Sequence, residues 1–362
     1  MTNKTSLGLV FGGNSSEYEV SIASAKNIFN AIDQEKFDIH PIWITNQGYI
    51  ASEEDSFKVL EDPNYQVEPR ESVSNLTNLI QLTNRPEIDV FFPIVHGNLG
   101  EDGVLQGLFR LLNKPFVGDD VLASAITMDK EMTKILAARA GVPVAKWVSV
   151  YNYEYADKNH DKLSYDYIAE KLGTHDMFVK PSNQGSSVGI SHVTKESEYL
   201  PALAEAFKYD DKVLVEEAID GTEVETAVLG NEDPQVSGVG QIINQKGTWY
   251  SYDNKYTNQS TTTLEIPAKL PDEIVEQVRS NALKVYRATE CSGLARIDSM
   301  LRKSDNKVIF NELNALPGFT NISMYPKLFE ETGISYSDLI TKLIEFAQKR
   351  FDHKATLLHK HE

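Results

Sequence analysis

The stretch Leu294-Ala295-Arg296-Ile297-Asp298-Ser299-Met300-Leu301, then Arg302 to Lys307, then Val308-Ile309-Phe310-Asn311-Glu312-Leu313-Asn314, decides how this chain is read. Both flanks look like strands, and Lys303-Ser304-Asp305-Asn306-Lys307 between them is turn-like. A loop over Ser304 to Asn306 pairs Lys303 with Lys307. That register sets Asp298 opposite Glu312, Arg296 opposite Asn314 and Met300 opposite Phe310. Strand side chains alternate faces, so Arg296, Asp298, Glu312 and Asn314 share one face. Two carboxylates directly opposite repel each other unless a cation lies between them. With an amide oxygen beside them, they form a hard-oxygen set of the kind Mg2+ prefers, completed by phosphates and water. The bland alternative is a solvated polar face with a surface salt bridge. Met300 and Phe310 continue the same face as apolar, which suits a cleft floor better than an open surface.

At 362 residues the chain is too long for one ordinary core, so two or three domains are expected. Hydrophobic residues at 41% and charged residues at 24% are ordinary for a soluble globular protein. Lys and Arg number 35 against 53 Asp and Glu, a net charge of −18. That balance argues against nucleic acid or an anionic membrane as a main partner. A phosphate pocket needs only a few local Lys or Arg, so nucleotide binding stays open. The lone Cys291 excludes an intramolecular disulfide and a Cys-based zinc site, and fits a reducing cytoplasm. Beside Ser292-Gly293, with no obvious base nearby, it reads as buried filler. The chain has no basic leader with an apolar core and no apolar run of about 18 residues, so a soluble, cytoplasmic protein is expected.

Leu7 to Gly12 reads as a short apolar strand ending in Gly12-Gly13, followed by a helical pattern from Val20 to Ile32. Phe37 to Ile44 reads as a second strand, and Val90 to Val95 as another, ending at His96-Gly97. Strands alternating with helices imply a parallel sheet with ligands at the strand C-ends. Residues 45–86 are polar and weakly patterned, and read as an excursion with little ordered periodicity. Composition changes near Ser124 to Lys130; a helix over Lys134 to Ala140 and a strand over Met177 to Lys180 follow. Lys212 to Glu217 is a further strand, and from about Asp220 a strand-rich segment runs to the hairpin, interrupted by a helix from Pro271 to Ala288. Ser335 to Phe351 closes the chain as an amphipathic helix.

Five other segments carry chemistry. The loop Pro181 to Gly189 has two glycines and three serines after a strand ending in Lys180. Small residues let backbone N–H groups approach phosphate oxygens, and the lysine adds a fixed cation; a plain mobile loop is the alternative. Val213-Leu214-Val215-Glu216-Glu217 turns abruptly acidic at a strand end, where a carboxylate can accept from an adenine amine or a ribose hydroxyl. Glu223 reads the same way, and both fit an exposed strand end equally well. His96-Gly97-Asn98-Leu99-Gly100-Glu101-Asp102-Gly103 places a histidine at a parallel-strand C-end, and Glu17 holds the corresponding place after the first strand. Glu17 can hold a substrate amine or simply complement a helix dipole. Trp249 to Thr263, centred on Lys255-Tyr256, reads as a long loop or lid. Pro317 to Met324 offers backbone and Ser323 to a carboxylate, or is a turn leading into the next helix.

Taken together and in this order, these pieces resemble the D-alanine–D-alanine ligases of the ATP-grasp superfamily, from Gly12 to the final helix. The match runs through Gly12-Gly13-Asn14-Ser15-Ser16-Glu17-Tyr18-Glu19-Val20-Ser21, His96-Gly97 with Gly100-Glu101-Asp102-Gly103, Lys180-Pro181-Ser182 with Gly185-Ser186-Ser187-Val188-Gly189, Lys255-Tyr256, Arg296-Ile297-Asp298, and Glu312-Leu313-Asn314 with Pro317-Gly318. The resemblance implies a three-domain α/β ATP-grasp architecture: residues 1–125 with a parallel sheet, a central 126–218, and a C-terminal 219–362 carrying the metal site and lid. It implies ATP between the last two domains. Lys130, Lys180, Ser187 and Lys255 would serve its phosphates, and Glu216, Glu217 and Glu223 its adenosine side. Asp298, Glu312 and Asn314 would hold two Mg2+ (or Mn2+). Glu17 would bind the amine of the first D-alanine, with His96 and Gly318 lining the substrate side. Ser323 and the Met324 backbone would take the second carboxylate. Arg296 would stabilise the tetrahedral oxyanion. Glu17, Ser186 and Tyr256 would form a hydrogen-bonded set that closes the lid.

The implied reaction makes a D-alanyl phosphate, because a carboxylate is a poor acyl donor and phosphate is a good leaving group. The second D-alanine then attacks, giving D-alanyl-D-alanine for peptidoglycan precursors. The implied partners are D-alanine and ATP, with no nucleic acid and no membrane; a homodimer is compatible with the resemblance. As the resemblance has it, Tyr256 implies the dipeptide rather than the D-alanyl-D-lactate ester, although Asn14, Tyr18, Ser299 and Met324 depart from the family's commonest forms and leave D-lactate or D-serine open. A catalytically silent nucleotide-binding regulator is the rival of another class.

Overall fold

The computed structural model describes residues 4–67, 75–156, 163–244 and 262–358. Strand β1 (Thr5–Gly12) is buried along its last six residues, as expected of a central strand covered on both faces. It pairs in parallel with β2 (Phe37–Ile44) and β3 (Val90–Pro93), in the order β2-β1-β3. Gly12 ends β1 with φ 89°, and a Cβ there would lie 2.0 Å from the Ile44 carbonyl oxygen, so only glycine fits this turn. The helix Tyr18–Ala31 then buries Ile22, Ala25 and Ile28 against the sheet. The closing helix, Tyr336–Ala355, places Leu339, Ile340, Leu343 and Ile344 in the same core as Leu7, Leu9 and Phe92. First and last segments of the chain thus stabilise one another.

A second sheet is antiparallel, with β4 (Trp147–Tyr151), β5 (Met177–Pro181), β6 (Ser191–Val193) and β7 (Lys212–Glu217) in the order β4-β7-β5-β6. Its core is closed by the helices Tyr165–Leu172 and Glu196–Ala206. A third sheet contains β8 (Gly221–Gly230), β9 (Gln235–Asn244), β10 (Thr262–Glu265), β11 (Gly293–Arg302) and β12 (Val308–Asn314), in the order β10-β9-β8-β11-β12. Cys291 is buried, with its Sγ 3.2 Å from Thr289 Oγ1. Among the described residues no helix is long and apolar enough to cross a membrane.

Two expectations need correction. The excursion over 45–86 contains the helices Glu53–Glu61 and Asn75–Thr83. The first is set by its cap: Ser52 Oγ accepts from Asp55 N at 3.1 Å, and Glu53, Glu54 and Asp55 fill the positive first turn. It buries only Ser56, Val59 and Leu60, too narrow a stripe to read by period. The second correction concerns the hairpin. Asp298 does pair with Glu312 and Arg296 with Asn314, but Ser299 pairs with Phe310 and Met300 with Ile309. Arg302 rather than Lys303 closes the turn, through its N–H to Lys307 O at 3.0 Å. The turn is one residue longer than expected, and a β-bulge beside Asp298 takes that residue back. The functional register survives because these two departures cancel.

Candidate active site

One wall of the site is the polar face of β8, β11 and β12. Asp298 is 1% exposed and accepts from Arg296 twice, Nε to Oδ1 at 2.8 Å and Nη2 to Oδ2 at 2.7 Å. Asn314 Nδ2 donates to the same Asp298 Oδ2 at 2.9 Å, so the Asn314 oxygen is the atom left to offer a cation. Opposite Asp298 on β8 stands Glu225, whose Oε2 lies 2.9 Å from Arg296 Nε. Burial alone would lower the Arg296 pKa, but Asp298 and Glu225 outweigh it and hold the guanidinium charged far above its ordinary range. Glu223, Glu225 and Asp298 can bring one oxygen each within 4.8 Å of one another. Acidic oxygens with an amide oxygen alongside suit a hard divalent cation.

The facing wall is cationic. Asp129 caps the helix Lys130–Arg139 by accepting from Glu131 N at 3.0 Å and Met132 N at 3.1 Å. Lys130 Nζ donates to the Gln184 carbonyl and lies 4.0 Å from Glu312, so it spans the two walls. Burial lowers its pKa, and Glu312 only partly offsets this. On β5, Lys180 is paired with Glu216 of β7, and Lys134, fully buried, is 2.9 Å from the same carboxylate. Burial would raise Glu216, but Lys134 and Lys180 outweigh it and hold its pKa down. Glu216 is therefore a buried counter-ion, not the exposed strand end that its sequence allows. Glu217 is tied at the sheet end, accepting from Lys146 N at 2.8 Å.

The third side comes from loops at the C-ends of β1 and β3. Glu17 Oε1 accepts from Ser186 Oγ. Ser186 and Ser187 both adopt left-handed backbone, φ 51° and 61°. A Cβ on Gly185 would come within 2.9 Å of Glu17 Oε2, so the small residue permits this approach. His96 is buried, and burial pulls its pKa below the usual value. As neutral imidazole it donates from Nδ1 to Leu316 O at 3.1 Å and accepts at Nε2 from Ser24 Oγ at 3.3 Å. Ser24 in turn accepts from Phe319 N at 3.1 Å. Glu101 accepts from Gly97 N at 2.6 Å and Leu316 N at 3.3 Å, and burial, then the charge of Glu17, push it up to about 8. Ser323 Oγ lies 2.8 Å from Thr320 Oγ1, and the helix Met324–Glu331 begins beside it.

Glu17, His96, Glu101, Lys130, Ser186, Glu225, Arg296, Glu312, Asn314, Gly318, Ser323 and Met324 line one cleft. Asp298, bonded to Arg296 and Asn314, and Lys180 and Glu216, which interact with Lys130, are not on that lining themselves. Glu217 and Glu223 are not on that lining. Lys255 and Tyr256 lie outside the described residues. Sequence reasoning singled out neither Glu225 nor Lys134, and gave Glu101 only as part of a motif. Glu225 had a signal, the period of two that puts it on the face of Glu223. The burial of Lys134 had none, since it depends on a partner 82 residues away.

Residues 6–119 match the family described as D-ala D-ala ligase N-terminus, and residues 136–345 the D-ala D-ala ligase C-terminus. The chain is 72% identical over 362 residues to a D-alanine–D-alanine ligase of Lactobacillus delbrueckii subsp. bulgaricus, covering all of both chains. It is 45% identical over 359 residues, 96% of each chain, to one from Oceanobacillus iheyensis. Among solved structures, the D-alanine–D-alanine ligase of Coxiella burnetii superposes with TM-score 0.79 at 34% identity, covering 97% of each chain. The VanG D-Ala:D-Ser ligase of Enterococcus faecalis gives 0.78 at 35% identity, covering 95% of this chain and 100% of that one.

Proposed function

The chain belongs to the D-alanine–D-alanine ligase family, and from that premise we propose how its own residues divide the work of joining two D-alanine molecules with ATP. It is an ATP-dependent carbon–nitrogen ligase with the ATP-grasp fold. Lys130 and Lys180 receive the ATP phosphates, assisted by Lys255 and the 182–189 loop with Ser187. Glu216, paired with Lys180, aims it, while Glu217 and Glu223 lie toward the adenosine side. The oxygen donors Asp298, Glu312 and Asn314 fit Mg2+ or Mn2+, which would neutralise charge on the transferred phosphoryl group. Glu17, oriented by Ser186, takes the ammonium of the first D-alanine, with Tyr256 completing that set. His96 and Glu101 clip the 315–319 segment to the β3 loop, which places Gly318, Ser323 and Met324 for the second carboxylate. Arg296 meets the oxyanion that forms when the second amine attacks the D-alanyl phosphate. Closing the cleft keeps water from that reactive acyl group.

The observation that carries this reading is the convergence in one cleft of an anchored guanidinium, Arg296, with Glu17–Ser186 on one side and Glu312–Lys130 on the other. The reading extends to three domains over 1–125, 126–218 and 219–362, and to cytoplasmic work on peptidoglycan precursors. Product analysis at neutral pH tests it, with ATP, Mg2+, D-alanine and equal D-lactate or D-serine. D-Alanyl-D-alanine should dominate. Predominant ester or D-alanyl-D-serine would overturn the second-substrate assignment, and no D-alanine-dependent ADP release would overturn the whole.

A further inference from the structure

We propose that Glu225 is a positioning residue for this reaction: it keeps Arg296 in the cleft while Asp298 serves the metal. The inference rests on the reading that Asp298 is a metal ligand. The guanidinium of Arg296 is shared by two carboxylates with different tasks. Asp298, two residues along the same strand, binds it through both oxygens, at 2.8 and 2.7 Å. Asp298 Oδ2 also receives Asn314 Nδ2 at 2.9 Å. A divalent cation at Asp298 must draw on those same oxygens, so metal and guanidinium compete for them. Glu225 sits on the neighbouring strand, directly across from Asp298, and reaches Arg296 Nε at 2.9 Å. It is 4% exposed, so its charge is little screened by water. When the metal draws Asp298 away, Glu225 is the carboxylate that still holds Arg296. Its own charge, beside Asp298, also favours the incoming cation.

The Glu225→Gln variant should fold, because Arg296 keeps its bidentate contact with Asp298 while one of the crowded carboxylates, Asp298, Glu225 and Glu312, is neutralised. In that variant Arg296 is held chiefly by Asp298, and the metal has to displace it. The test uses the full-length chain with bound ADP and Mn2+ as the probe, its binding followed by electron paramagnetic resonance. Mn2+ affinity should fall by roughly tenfold, the scale of residues that orient metal ligands. The kcat should fall with it, and the KM for ATP should not rise in step. The Glu225→Asp variant, which keeps the charge on a shorter arm, should recover part of the Mn2+ affinity. Mn2+ binding within about twofold of the parent in Glu225→Gln, or a lowered Tm with unchanged Mn2+ binding, would overturn the inference. Asp298→Asn separates the two layers. If that variant binds Mn2+ like the parent, the metal-ligand reading fails; if it loses Mn2+ while Glu225→Gln does not, only the role of Glu225 fails.

Discussion

The two walls of the cleft are built alike and charged oppositely. On the β8–β11–β12 wall, Asp298, Glu225 and Glu312 surround one guanidinium, that of Arg296. On the β5–β7 wall, Lys134 and Lys180 share one carboxylate, Glu216, with Lys130 close by. Each wall carries the surplus that the other lacks, and the 4.0 Å approach of Lys130 to Glu312 is their meeting point. Placing charges of one sign in a buried wall is costly unless opposite charge lies within reach. In the proposed reading a magnesium nucleotide would supply both signs at once, phosphate to the lysines and cation to the carboxylates. The difference between the walls teaches that polarity, not shape alone, can set the direction in which such a ligand lies: on the proposed reading, phosphates point across the cleft from β5 toward β12.

Breaking the anionic wall should have the largest effect. Glu312→Gln removes a carboxylate that faces both the metal and Lys130, with the strand register unaltered. We expect kcat to drop by about a hundredfold or more, about 2.7 kcal/mol in the barrier, with a circular dichroism spectrum like that of the parent. Near-normal kcat would end the assignment of that wall to metal. Breaking the cationic wall should cost less and appear in a different constant. Lys180→Gln loses a charge-assisted contact of about 1.5–3 kcal/mol. The KM for ATP should rise by about ten- to a hundredfold, and D-alanine KM should stay put. Glu216 keeps Lys134 as its partner, so the variant should remain folded. A change in D-alanine KM alone would place Lys180 on the wrong side of the cleft.

How much of these walls could be read beforehand depends on the distance over which each is assembled. The anionic wall is largely local. Asp298 and Glu312 belong to one hairpin, and alternation within strands was enough to put them face to face, even though the turn and the bulge were each missed by a residue. Glu225 escaped because nothing in the hairpin says which strand lies on its other side. The cationic wall is assembled from the start of one helix and two separate strands: Lys180 was legible as a cation at a strand end beside a small-residue loop, whereas Lys130 entered only through a family resemblance. Lys134 is one turn beyond Lys130 on its helix, and a lysine there usually faces water; its complete burial follows from tertiary packing that no local period encodes. The parallel strands β1 and β3 were legible as apolar runs, and the small helix Glu53–Glu61 was not, because a cap and three acids define it rather than an apolar face.

The smallest expected effect sharpens the charge inventory itself. Glu101 lies between the walls, and counts as uncharged near neutral pH because burial, then Glu17, push its pKa up to about 8. The unfolded chain releases this proton near the ordinary value of 4.5. Between those two values the folded chain binds more protons than the unfolded one, so this group's contribution to stability falls as pH rises through the window. Asp119, pushed up to about 7 chiefly by burial, adds a slope of the same sign. Glu101→Gln keeps one acceptor oxygen for the two amides of Gly97 and Leu316, so it should lose about 1 kcal/mol at pH 5.5, where the parent carboxyl is neutral. By pH 9 the parent must carry a buried charge there and the variant need not. Melting curves from pH 5.5 to 9 without ligand should therefore start with the variant below the parent and end with the gap closed or reversed. The variant should keep the shallower slope that Asp119 imposes. Two parallel curves would mean that Glu101 is ionised throughout, and that the cleft carries one more negative charge on its substrate side.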